Sequence, residues 1–526
     1  MPVLGMGRGR RAIVLASVLF LLPICTSGQT DSTASRPESN GEQKTARALD
    51  LARANPLALR AFLVGMPKGA DLHNHLSGAV YAESWIRAAA EDELCIDRAK
   101  LSFSKPQAGA ATVSCGEGKV PASEADKDQH LYDALIDAFS MRGFVPYAGG
   151  TAHDHFFDTF AHFSGTDPRH TGEWLDEVAA RAAAQNEEYL ELMQTPDFTR
   201  TSEIAKQIPF QYDFARLRQE LLDRGLRSDI AVAGTALDQA EALRRQREHC
   251  GETDESPACH VKIRFLYQIL RGFPKEQVFA QTLLGFETAS VDPRFVGINF
   301  VMPEDGRISM EDYTLHMRIV GFLHNLYPKV HITLHAGELA PGLVPPDGLC
   351  CHIRQAVEYA HAERIGHGVD VMYEDKPYDL LKEMAALHVM VEVNLSSNDV
   401  ILGVAGKDHP FPLYRKFSVP VALSTDDEGV SRIDLTHEYE RAVETYDLHY
   451  ADLKRMVRTS LEHSFLPGPS LWAAPDAFTR PAAACSAARL GDEKTSAACT
   501  AFLQGSEKAH EQWELERRFR AFEASH

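Results

Sequence analysis

A chain of 526 residues with 44% hydrophobic and 24% charged residues has ordinary globular composition and ample material for a core, which excludes disorder for most of its length. The formal net charge of -20 repels polyanions, so a nucleic-acid footprint is excluded and a small or neutral ligand is favoured.

At the N-terminus, Arg8, Arg10 and Arg11 precede an apolar run from Ala12 to Ile24 that is too short to cross a bilayer, followed by the small residues Thr26, Ser27 and Gly28. Residues 1–28 are expected to be an export signal, delivering the chain to a periplasm or to the medium. Cys25 after Leu22-Pro23-Ile24 loosely resembles a lipoprotein box, which makes a lipid anchor the minor reading. Residues 29–48, polar and charged, are expected to be a flexible linker, and one domain is expected over 49–526. An oxidising compartment predicts paired cysteines. Cys95 with Cys115, Cys250 with Cys259, and Cys485 with Cys499 lie in short polar stretches able to close locally, although sequence does not fix the connectivity. The adjacent Cys350 and Cys351 read as two buried thiols.

Eight short apolar runs alternate with longer helical stretches: Ala70–His75, Tyr189–Met193, Val261–Leu270, Val296–Val301, His331–His335, Arg364–His367, Val389–Leu395 and Val419–Ser424. Strands separated by helices imply βαβ units, and eight of them suggest a closed (β/α)8, or TIM, barrel. More than a hundred residues separate the first two runs. Residues 91–128, with Cys95 and Cys115, are expected to be a small disulfide-closed insertion, and 468–526 a helical C-terminal extension.

Polar residues fall at the C-terminal ends of these runs, the rim where barrels collect functional groups. His73 and His75 are two apart in a strand, so both can face the barrel axis and share a metal. His153 and His155 have the same spacing, but the helical periodicity of Phe156, Phe157 and Phe160 makes them diverge. His335 offers a third nitrogen, Glu338 a proton-exchanging carboxyl, His367 a further imidazole, and the pair Asp426 and Asp427 one carboxylate each for metal and substrate. Three histidines and a carboxylate suit zinc with a position left for water; nickel and cobalt fit the same donors.

Pro67-Lys68, His73/His75, His335-Ala336-Gly337-Glu338, Arg364-Ile365-Gly366-His367-Gly368, Ser424-Thr425-Asp426-Asp427 and Ser464-Phe465-Leu466-Pro467 together resemble the adenosine deaminase family, from about residue 67 to 467. The exported character and the cysteine-bearing insertion are similar to its secreted growth-factor branch. The resemblance implies one Zn(2+) on His73, His75, His335 and Asp426, with His367 beside the water that the metal activates towards C6 of the purine. It also implies Glu338 as proton donor to N1, Asp427 at N7, and Phe156, Phe157 and Phe160 on a hydrophobic helix over the pocket. Adenosine and 2'-deoxyadenosine are the implied substrates. Two departures bear on them: Ser77 stands where many members have an aspartate near the ribose, and Met302 where a glycine usually directs its amide to N3, so that the methionine side chain is expected to narrow the approach. The alternatives are another aminopurine, such as an N6-modified adenosine or a nucleotide, and a non-catalytic nucleoside-binding protein. The expected partner is a small nucleoside, with no nucleic acid and no transmembrane span in the mature chain; a homodimer is compatible with the sequence.

Overall fold

The computed structural model describes residues 40–107 and 114–526. The expected signal, Cys25 and linker residues 29–39 lie outside the described residues. The rest of the expected linker is not a linker: Asn40–Ala52 is a helix whose Thr45, Leu49 and Ala52 form one buried face, packed on the C-terminal helix Glu507–Ala524. The i, i+4, i+7 spacing of those three residues is a helical signal that polar composition masks.

All eight predicted strands are present, as β1 (Gly69–His75), β2 (Glu187–Gln194), β3 (Lys262–Leu270), β4 (Phe295–Val301), β5 (His331–Ala336), β6 (Arg364–His367), β7 (Met390–Val393) and β8 (Val421–Leu423). Each pairs in parallel with the next. The ring closes just past β8, where a parallel bridge joins Asn74 to Asp426: the Asp426 amide donates to His73 O at 2.8 Å and the His75 amide to Asp426 O at 3.2 Å. Every residue of β1 is buried, as expected of a strand covered on both faces. β7 ends two residues earlier than predicted, because Asn394 leads into helix Leu395–Leu402.

The interior is layered. Met193, Leu266, Val301 and Phe465 form an apolar cluster. Arg364 lies over the Phe465 ring at 3.8 Å and contacts Glu191 and Glu392, and above that polar layer the rim histidines converge.

The insertion is a three-stranded antiparallel sheet, with Cys95–Asp97 between Ser102–Ser104 and Lys119–Pro121, tied by Cys95–Cys115. Disulfides also join Cys250 to Cys259 and Cys485 to Cys499. Cys350 and Cys351 are bonded to each other rather than being two thiols, with Cys351 in the left-handed region at φ +83°. The C-terminal extension is α-helical only from Ala497; before that, loops and one 3-10 turn gather Leu471, Trp472, Phe478 and Cys485 against Cys499 and Trp513. Among the described residues no helix is long and apolar enough to cross a membrane.

Candidate active site

β1 ends with His73 and His75 aimed at one point, and β5 adds His335. His73 donates its Nδ1 proton to Glu392 Oε2 at 2.6 Å, His75 to Gln268 Oε1 at 3.0 Å and His335 to Asn299 Oδ1 at 3.0 Å, the last oxygen being fixed because it also accepts the His335 amide. With Nδ1 protonated, each Nε2 carries a lone pair. The Nε2 atoms of His73 and His75 stand 3.1 and 3.2 Å from Nε2 of His335, contacts that offer no shared hydrogen and repel unless a cation lies between them. Asp426 brings Oδ1 to within 3.5 Å of His73 Nε2 and 3.2 Å of His75 Nε2, while Ser397 donates to its Oδ2 at 2.6 Å. Three lone pairs and a carboxylate on one point fit a borderline divalent cation, and the outward hydrogen bonds of the imidazoles are what such a site needs to hold its ligands in one orientation.

Glu392, which the sequence reading passed over, anchors this arrangement from below. It is fully buried, accepts from His73, Thr333 and Arg364, and stays below the usual carboxylate range: burial pushes it up, but Arg364 and His73 outweigh that. Its signal was a lone carboxylate inside the apolar run Met390–Val393.

Above the cluster, Glu338 Oε1 lies 3.6 Å from His367 Nε2, a nitrogen with no hydrogen-bond partner in the protein. Burial first, then the charges of Asp426 and Glu304, raise the Glu338 carboxyl well above its ordinary range, so it holds a proton. Asp427 is likewise pushed up by burial, to about 8, and its Oδ1 is also without a partner. Glu304 is a second unforeseen residue. It accepts the Gly337 amide at 3.1 Å, the Glu338 amide at 2.8 Å and His352 Nδ1 at 2.5 Å, pinning the loop that carries Glu338.

Ser77 lines a cavity of 490 Å³ shared with Gln268, Trp85, Trp174 and Thr195. Met302 sits at φ +84° with its thioether laid towards Gly272 on the neighbouring loop, and its carbonyl accepts from Arg271. Phe156 is buried and Phe157 and Phe160 are half-buried on helix Ala152–Phe163, which packs on helix Leu395–Leu402, the carrier of Ser397 and Asn398. His153 and His155 diverge as expected, the first to Asp305 and the second to the Asp137 and Ser140 carbonyls.

Residues 175–473 match the family model described as adenosine deaminase, which spans every strand from β2 onward. The chain belongs to the adenosine deaminase family. Among curated relatives, an adenosine deaminase of Clostridium perfringens is 37% identical over 135 residues, which is 26% of this chain and 37% of that protein. An adenine deaminase of Rhizobium leguminosarum bv. trifolii is 29% identical over 245 residues, 46% of this chain and 66% of its own length. The match thus spans little more than a third of the first relative and just under two thirds of the second. Among solved structures, arabidopsis ADAL complexed with GMP superposes with a TM-score of 0.51 at 18% identity, covering 77% of this chain and 94% of that one, a likeness of fold.

Proposed function

We propose that this deaminase is exported and hydrolyses the C6 amino group of adenosine and 2'-deoxyadenosine, with water as co-substrate and ammonia as the leaving product, using one zinc ion. The observation that carries the reading is the buried Glu338 carboxyl 3.6 Å from His367, which itself groups with His73, His335 and Asp426, while His75 contacts His335 and Asp426. Those four residues would hold the zinc, whose chemistry is to lower the pKa of a bound water. Glu338 holds the proton that ring N1 takes up, which makes C6 electrophilic. Asp427, itself able to carry a proton at neutral pH, offers its unpaired Oδ1 to N7.

The side cavity supports a nucleoside. It begins at Ser77, two residues after His75, has room for a sugar, and is lined without a lysine or arginine, so it offers a ribose hydroxyl partners and a phosphate no cationic one. Four disulfides among the described residues support an oxidising destination.

The test is ultraviolet absorbance of purified protein with adenosine, run beside adenine, AMP and N6-methyl-AMP, and repeated with Glu338→Gln. Loss of the adenosine band, abolished by the substitution and by a chelator, is the expected result. Turnover of adenine or a nucleotide in place of adenosine would overturn the substrate assignment while leaving the chemistry in place.

A further inference from the structure

His367, like the other three rim imidazoles, has an oxygen placed behind its Nδ1, Asn398 Oδ1 at 2.8 Å, but the Asn394 amide nitrogen also lies 3.5 Å from that Nδ1. Asn398 Nδ2 lies 2.9 Å from His409 Nε2, and His409 Nδ1 accepts the backbone N–H of Phe411 at 3.1 Å.

A backbone amide can only donate, so His409 Nδ1 carries a lone pair. His409 is buried, and burial lowers its pKa to about 3, so the ring is neutral and its single proton is on Nε2. The Asn398 atom facing that Nε2–H must therefore be its oxygen, so Oδ1 and Nδ2 exchange places. The amide oxygen and nitrogen are interchangeable by a half-turn of the side chain, and only this orientation gives both histidines a legal set of protons. The Asn398 NH2 then points at His367 Nδ1, joined there by the Asn394 NH2, and the His367 proton lies on Nε2, facing Glu338 and the cluster. The same Nε2 is the buried atom with no partner in the protein.

We propose that His409 and Asn398 are positioning residues that hold His367 in its Nε2–H tautomer, so that it presents a proton and not a lone pair to the reaction centre. His367 is thereby set apart from the metal-binding histidines, whose Nδ1 protons leave Nε2 free to coordinate. The positional code is simple: an oxygen behind the ring makes a ligand, an N–H behind the ring makes a donor. The catalytic consequence rests on the deaminase reading above, whereas the tautomer itself does not.

The test uses the metal-loaded full chain with 15N-labelled histidine. In wild type the His367 nitrogens should give a protonated Nε2 and an unprotonated Nδ1. Asn398→Asp puts an acceptor on both sides, so the His367 proton should move to Nδ1, with metal content unchanged and kcat lowered about a hundredfold or more at little cost in KM, the scale on which a misplaced histidine proton is felt elsewhere. His409→Phe removes the Nε2–H that orients Asn398 and should give a mixed tautomer and a smaller loss. A wild-type spectrum with the proton on Nδ1 overturns the proposal without need of any variant. A tautomer that switches in Asn398→Asp while kcat stays within threefold of wild type overturns its catalytic half. If wild type turns over no aminopurine, the deaminase reading fails, and the spectrum still decides the tautomer.

Discussion

His73 and Glu392 form a completely buried pair, Nδ1 to Oε2 at 2.6 Å, and the other oxygen of Glu392 accepts from Arg364 at 2.6 Å. One carboxylate thus orients a rim histidine and balances a buried guanidinium. Glu392→Gln keeps the volume but removes the charge, and breaking a buried pair costs about 3–5 kcal/mol. Metal affinity should fall by about 10- to 100-fold through loss of the outer hydrogen bond. Urea unfolding and a metal-competition titration read the two effects separately.

Glu304 holds two consecutive amides, Gly337 and Glu338, on its two oxygens. In Glu304→Gln one of those oxygens becomes an NH2 that confronts an N–H donor, and the loop must shift. A displacement of the proton donor by about 1 Å costs on the order of a hundredfold in rate. The expected outcome is a kcat lowered on that scale with KM changed by no more than about threefold, and no further loss when Glu338→Gln is added, since both changes act on one proton. Additive losses in steady-state kinetics would sink this assignment.

Chelation should lower the thermal midpoint, because the ion binds only the folded cluster. With free metal at about a thousand times its Kd, the stabilisation is about 4 kcal/mol, and on the order of 5 °C is expected to be lost in calorimetry and regained on adding zinc.

Asp476 bonds His463 Nε2 and His388 Nδ1, each at 2.8 Å. Burial raises its pKa, but the hydrogen bonds from His463 and then His388 outweigh that and hold it below the ordinary value. A carboxyl depressed in the folded state stabilises above the unfolded pKa of about 4, and that contribution is lost as pH falls through the folded value. Asp476→Asn should therefore be less stable than wild type near neutrality, and the gap should shrink between about pH 5 and about pH 3. Urea midpoints across that range check it; a constant gap would refute it.

The barrel and its rim were legible because two periodicities and a set of strand-end polar residues coincide: His73 and His75 share a side of β1, and His335, His367 and Asp426 each follow an apolar run. What stayed hidden depends on contacts distant in sequence. Glu392 and His73 are 319 residues apart, and nothing local to either announces the other. Glu304 is hidden for the same reason, 34 residues from the amide it holds. Met302 was read as an obstruction, and its backbone at φ +84° turns the side chain towards Gly272, a placement that no residue-type argument contains. Helix Asn40–Ala52 was hidden differently, by a charged composition that outweighed three buried positions.

Closure of the barrel has one more consequence. The bond that buckles this hoop is made by the backbone of Asp426, between the backbones of His73 and His75, and the side chains of the same three residues converge on the cation site. The weakest place in a ring of short strands is where its ends meet, and here the main chain fastens the ends while three side chains converge on a point that a cation would tie. A metal bound there would be as much a rivet as a reagent, and removing it would slacken the hoop at the point where the first strand meets the last.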